Sequence, residues 1–277
     1  MSDPTELVPP GVDISRPNVA RMYDYWLGGT LNYEVDRSAA DRVTALDPVA
    51  MAPQSAWANR GFLQRAATWM ARQGIDQFLD VGAGLPTMNN THDVVQQVDS
   101  DARVVYFDSE PEVVAHGLQL VANLDNVYYV RGDIRHVEDI LSDPVTVRQI
   151  DFDRPVGLLL VGLLYFVDDP YGSVEKLVEA VAPGSCLALS HATSDREDPE
   201  VVEQGVQVYR SASEQIYPRA RAEVERLFAG VRLVSPYDSA PPGLCYVGQW
   251  GAEDPEQADD TPGRRLYAGV GQKPAAE

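Results

Sequence analysis

The spacing of apolar positions changes near residue 76. Before it, apolar residues recur every three or four positions. After it, short apolar runs alternate with amphipathic segments. Residues 16–27 read as a helix stopped by Gly28-Gly29, and 35–46 as a second. Pro53-Gln54-Ser55 opens a third, running to Gly74, with Trp57, Phe62, Leu63, Ala66, Ala67 and Met70 at helical spacing and Gly74 as its C-cap. Strands are expected at 77–82, 103–108, 126–131, 156–163 and 185–191, with helices between them, the alternation that predicts a parallel sheet. Ser109-Glu110-Pro111-Glu112 reads as a capping box with Ser109 at the N-cap. A helix at about 171–182 presents Val174, Leu177, Val178 and Val181 on one face and ends at Pro183-Gly184. A polar stretch from Ser194 leads into helices ending near Gly230, and 231–234 and 265–270 read as two last strands around a surface loop at 251–263. Residues 1–15 read as a flexible tail and 16–52 as a helical cap on a domain that fills 53–277.

One junction in this pattern carries chemistry. Gln77-Phe78-Leu79-Asp80-Val81-Gly82-Ala83-Gly84 is an apolar run that ends in an acid and then turns through two glycines. Backbone there is expected to pass so near a ligand that a Cβ would collide. The next run, Val104-Val105-Tyr106-Phe107, ends in Asp108. A glycine turn followed by an acid at the next strand's tip is how a βαβ unit grips a nucleoside, with the carboxylate on the ribose hydroxyls. Thr87 stands where a dinucleotide site needs a third glycine, and no G-x-x-x-x-G-K-[ST] occurs.

These motifs resemble the first motif of class I methyltransferases dependent on S-adenosyl-L-methionine. The order continues through Arg131-Gly132-Asp133-Ile134. The resemblance narrows to a bacterial S-adenosylmethionine methyltransferase family of unknown substrate. It is carried by Arg16-Pro17-Asn18-Val19-Ala20-Arg21-Met22-Tyr23-Asp24-Tyr25-Trp26-Leu27-Gly28-Gly29, then Asn32, Asp36-Arg37, Asn59-Arg60, Ser190-His191-Ala192-Thr193, Trp250 and Tyr267-Ala268-Gly269-Val270-Gly271. It implies a Rossmann-like α/β fold, a mostly parallel seven-stranded sheet with an antiparallel last strand, plus the N-terminal helical cap. Tyr165 departs from the pattern, standing where the family-type segment has His.

The resemblance also implies a cofactor site. Gly82, Ala83 and Gly84 face the methionine part and ribose. Asp80 holds the amino group, or else caps the glycine turn. Asp108, beside Ser109, takes the ribose hydroxyls. Asp133 and Ile134 meet the adenine, though Gly-Asp is also common turn chemistry. Val161, Gly162 and Leu163 lie beneath the cofactor, or are plain core strand. Arg21 and Arg60 are candidates for the methionine carboxylate. His191, at the end of the fifth strand, is the candidate general base, with a hydrogen-bonded structural histidine as the alternative. His92, His116 and His136 are expected at the surface. Tyr23 is the second catalytic candidate, on a helix whose Tyr23 and Trp26 share one face that either lids the pocket or packs on the core.

Charge narrows the acceptor. Asp and Glu number 42 against 22 basic residues, with Lys176 and Lys273 the only lysines, for a net charge of −20. Such a surface repels nucleic acid, so a small-molecule substrate is expected. Cys186 and Cys245, far apart and without a Cys/His cluster, argue for a reducing compartment and against a metal site. Met1-Ser2-Asp3-Pro4 does not read as a signal peptide, and no run approaches the ~20 apolar residues of a membrane span. The expectation is a cytoplasmic enzyme that methylates oxygen or nitrogen, its oligomeric state open. The alternatives are a regulatory module that binds S-adenosylmethionine or S-adenosylhomocysteine without turnover, and an NAD-dependent oxidoreductase that Thr87 disfavours. Asp169-Pro170-Tyr171 resembles the D-P-P-Y segment of amino-group methyltransferases too weakly to support base methylation.

Overall fold

Asn18 starts the first helix, α1 (Val19–Trp26), by accepting the amides of Ala20 and Arg21 through its side chain. In this computed structural model, which describes residues 12–46, 52–86, 89–195, 199–258 and 263–275, two more helices follow, α2 (Glu34–Ala45) and α3 (Ala52–Arg72). All three match the helical spacing in the sequence, and Gly74 closes α3 with φ 87°. Most of the expected tail and Thr87 lie outside the described residues.

The alternation then proceeds as β1 (Gln77–Val81), α4 (Thr91–Val95), β2 (Arg103–Asp108), α5 (Pro111–Val121), β3 (Val127–Arg131), α6 (Val137–Ser142), α7 (Pro144–Gln149), β4 (Gly157–Val161), α8 (Tyr171–Ala180), β5 (Cys186–Ala192), α9 (Pro199–Tyr209), α10 (Arg221–Arg226), β6 (Arg232–Leu233), β7 (Cys245–Tyr246) and β8 (Leu266–Gln272). The sheet runs β3-β2-β1-β4-β5-β8-β6. β1 to β5 are parallel and β8 is antiparallel to β5. Side chains alternate between faces. Phe78, Val104 and Leu159 pack with Phe62, Ala66 and Met70 of α3, while Leu79, Val105, Leu158 and Leu160 pack with Ile140, Val174, Leu177 and Leu227. Among the described residues no helix is long and apolar enough to cross a membrane.

Three expectations are corrected. The described strands number eight rather than seven, because β6 and β7 pair in tandem along one edge of β8. β4 stops at Val161, since Gly162 turns left-handed (φ 74°) and Leu164–Phe166 coil into a 3-10 turn. The N-cap of α5 is Glu110, not Ser109, and no side chain caps it. Instead the Asp108 carboxylate accepts the Glu110 amide at 3.0 Å.

The N-terminal helices are tied to the sheet domain by buried charge. Arg21, 2 % exposed, donates to Asp36 at 2.7 Å and to Glu112 of α5 at 2.6 Å, and its remaining amine reaches the carbonyls of Asp13 and Arg16. Asp36 also accepts the amides of Asn18 and Tyr33. Asp36→Ala therefore takes one of two carboxylate partners from a buried guanidinium and leaves the Asn18 and Tyr33 amides without their acceptor, and it is expected to lower stability by about 3–5 kcal/mol. Denaturant unfolding of the two proteins measures the difference; a loss under about 1 kcal/mol would show that the knot does not hold the cap.

Candidate functional site

Strand order reverses between β1 and β4, so the carboxyl edge of the sheet opens there into a crevice. Its volume is about 1240 Å³, open to solvent. Gly82 and Gly84 both hold left-handed backbone, φ 74° and 69°. For Gly82 the crowding neighbour is the protein itself: a Cβ would stand 2.5 Å from Leu163. Only at Gly84 does the backbone face open space, with nothing within 4 Å of a Cβ. The amides of Gly82, Ala83 and Gly84 have partners within the protein. Gly82 and Ala83 donate to the carbonyl of Phe107 at 2.8 and 3.0 Å, and Gly84 donates to Asp108 at 2.9 Å. Tyr129 supports the turn from below by donating to the Gly84 carbonyl at 2.8 Å.

Two carboxyls flank this turn. Asp80, 4 % exposed, accepts the Thr91 hydroxyl at 2.6 Å. Burial pushes it up to about 6, against the pull of that hydroxyl and of Arg60. Asp108, 9 % exposed, is likewise pushed up to about 6 by burial, against the Glu110 and Gly84 amides. Each keeps lone pairs beyond those its protein partners use. Asp133 and Ile134 also line the crevice, but the Asp133 carboxylate is held by Arg135, through its amide and its guanidinium at 2.9 Å. Against the cost of burial, those bonds leave Asp133 more acidic than usual. Val161, Gly162, Leu163, Ser109 and Arg60 line the same space, and Arg60 donates to Asn90 at 3.0 Å. Arg21 does not, because the knot with Asp36 and Glu112 consumes it.

Tyr23 faces the crevice together with Trp26. Its hydroxyl donates to the Ala56 carbonyl at 3.0 Å and accepts from Asn59 at 3.2 Å, and burial raises its pKa. Asn59 in turn accepts the Ser190 hydroxyl at 2.6 Å, and Ser190 accepts the Gly162 amide at 2.9 Å. A continuous hydrogen-bonded chain thus runs from the end of β4 to α1. Its members sat in the sequence motifs, but their mutual contact had no sequence signal.

Of the two readings of His191, the geometry favours the hydrogen-bonded structural histidine. It lies off the crevice lining and is fully buried. Nε2 accepts from Arg219 at 2.9 Å, which puts the proton on Nδ1, donated to the Ala192 carbonyl at 2.8 Å. Burial first, and the Arg219 charge in addition, push the imidazole down to about 4. A neutral ring with both nitrogens engaged is a structural histidine, so the general-base expectation is withdrawn. Arg219, missed in the sequence, is the hub: it also binds the carbonyls of Leu164, Val167 and Asp168, fixing the segment that carries Tyr165. His92, expected at the surface, is buried against Tyr106, whose hydroxyl lies 2.8 Å from Nδ1.

A family model described as S-adenosyl methyltransferase matches residues 5–274. A comparison with proteins of curated function finds no match. The solved structure of a candidate methyltransferase from Thermobifida fusca YX is 38% identical, with a TM-score of 0.87, and the match covers 98% of this chain and 100% of that one. A DUF574 family protein from Streptomyces avermitilis MA-4680 is 33% identical, with a TM-score of 0.84 over 94% of this chain and 98% of its own.

His191→Ala removes the acceptor of a buried Arg219 bond without touching the crevice. Thermal unfolding should show a loss of about 1–3 kcal/mol, while calorimetric affinity for S-adenosylhomocysteine stays at the wild-type value. A selective loss of affinity with intact stability would restore a place for His191 in the site.

Proposed function

The chain belongs to the S-adenosyl methyltransferase family and shares its fold, which makes it an S-adenosylmethionine-dependent methyltransferase; from that premise we propose that the β1–β4 crevice holds the cofactor and that the acceptor is a small molecule methylated on oxygen or nitrogen. The charge of the crevice carries this reading. Among the described residues its lining includes the carboxyl side chains of Asp24, Asp80, Asp108, Glu110, Asp133 and Glu214, against only Arg60 and Arg135. Such a lining attracts a ligand bearing a sulfonium and an ammonium and repels the pyrophosphate of a dinucleotide.

In this reading, helices of the 16–52 cap roof the crevice and the 53–277 domain supplies its floor. The free lone pairs of Asp108 take the ribose hydroxyls and Asp80 takes the ammonium, a charge-assisted contact. Ile134 covers the adenine, with Asp133 beside it. Gly84 leaves the backbone bare where the sugar passes, and Val161, Gly162 and Leu163 form the floor. Arg60 faces the carboxylate. Bound S-adenosyl-L-methionine would supply an electrophilic sulfonium methyl for transfer to the acceptor. The protein's part is alignment, which such a displacement chiefly needs. Tyr23, kept protonated by burial and fixed by Asn59 and Ala56, serves as a hydrogen-bonding wall rather than a base.

Asp108→Ala should weaken S-adenosylhomocysteine binding roughly ten- to hundredfold by calorimetry, the loss expected when hydrogen bonds to a charged group disappear. Unchanged affinity would sink the assignment of the crevice. A pH series tests the carboxyl pair separately. Both carboxyls titrate at about 6, and a cationic ligand favours their ionised forms. S-adenosylmethionine affinity should therefore be level above pH 7 and fall below 6, with protons released on binding near pH 6. A flat profile from pH 5 to 8 would count against Asp80 and Asp108 as its partners.

A further inference from the structure

A second cavity, open to solvent, adjoins the crevice, and the cofactor reading leaves it unused. Tyr23, Trp26, Asn59, Tyr165 and Tyr209 line both spaces and form their common wall. Beyond the wall the second cavity is apolar, bounded by residues such as Val43, Ala56, Val206 and Leu266, and Arg265 is the only charged side chain among its described lining residues. The contrast with the acid-rich crevice is sharp: among the described lining residues no carboxylate offers a partner to a cationic acceptor.

Tyr165 adds a second, independent observation. It is nine-tenths buried, and among the described residues its hydroxyl makes no hydrogen bond. The hydroxyl is held at the boundary of two open spaces, where it is accessible to a ligand in either. Its place is fixed, since Arg219 binds the carbonyls on either side of it and His191 packs edge-on to its ring at 5.8 Å.

Resting on the crevice as the cofactor site, we propose that the second cavity is the acceptor subsite, and that it takes a flat aromatic compound bearing a hydroxyl or amino group. The rings of Tyr23, Trp26, Tyr165 and Tyr209 offer faces and edges for an aromatic system. A sugar or a peptide would leave many polar groups unpaired among these walls. The Tyr165 hydroxyl supplies the polar contact at the boundary, so that the accepting atom points toward the crevice. Tyr165 acts as a positioning residue. Its burial raises its pKa and keeps the phenol a donor.

Gly205 provides the test. It lines the second cavity and not the crevice, and a Cβ there meets nothing within 4 Å. Gly205→Leu therefore sets its Cβ in open space and adds apolar bulk to the lining of the second cavity, and leucine suits a helix better than glycine. With S-adenosylhomocysteine saturating, 2-naphthol is titrated calorimetrically into the wild type, Gly205→Leu and Tyr165→Phe. The wild type should bind it more tightly than 1-decanol. Gly205→Leu should lose at least roughly tenfold, Tyr165→Phe should lose about threefold to tenfold, and S-adenosylhomocysteine affinity should hold in both. Naphthol bound equally by wild type and Gly205→Leu, or not bound by the wild type, overturns the subsite. Tighter decanol binding overturns the aromatic class. Failure of S-adenosylhomocysteine to bind the wild type would strike at the crevice itself, and this inference would fall with it.

Discussion

Because β2 and β3 lie on one side of β1 while β4 and β5 lie on the other, the chain leaving β1 and the chain leaving β4 depart to opposite faces of the sheet. That split opens the carboxyl edge into the crevice. The two departing turns nearly touch: Leu163 after β4 packs where a Cβ of Gly82 after β1 would be. A side chain at 82 would meet Leu163 and strain a left-handed backbone. The glycine is thus required by the protein's own packing, and the open face falls one step later, at Gly84.

The conspicuous N-terminal motif turns out to be architecture. Asn18, Arg21 and Asp36 use their polar atoms on one another and on Glu110 and Glu112 of α5. Asp24 sits beneath its own turn, accepting from Leu31 and Asn32. Buried charges cost desolvation and are stabilised here by short, multiple hydrogen bonds. What they secure is position: α1 lies across the crevice with Tyr23 and Trp26 facing inward. Arg219 and His191 do the same on the opposite wall for Tyr165. Two buried arginines thus hold the two aromatic sides of one boundary.

That boundary separates unlike environments. One side is rich in carboxyl groups, and the other is apolar. By charge alone a cation would favour the first side and an uncharged ring the second, with the tyrosines between them. For a displacement that depends on alignment more than on proton transfer, such sorting provides much of what catalysis asks of a protein.

The sequence by itself determined the layered α/β fold, the positions of β1 to β5, the glycine turn and the two acids beside it. All of these rest on local rules: alternation sets strands, left-handed backbone selects glycine, and a strand's last residue necessarily reaches the sheet's edge. Tertiary structure decided what each polar group does. Arg21 and Arg60 look alike in sequence, yet one is consumed by Asp36 and Glu112 while the other lines the crevice. His191 stands at a strand end like Asp108, but Arg219, distant in sequence, takes its free nitrogen. Tyr209 reaches the cavity wall from a helix far from every motif. A side chain's chemistry depends on its neighbours in space, and contacts between segments remote in sequence leave no periodic trace along the chain.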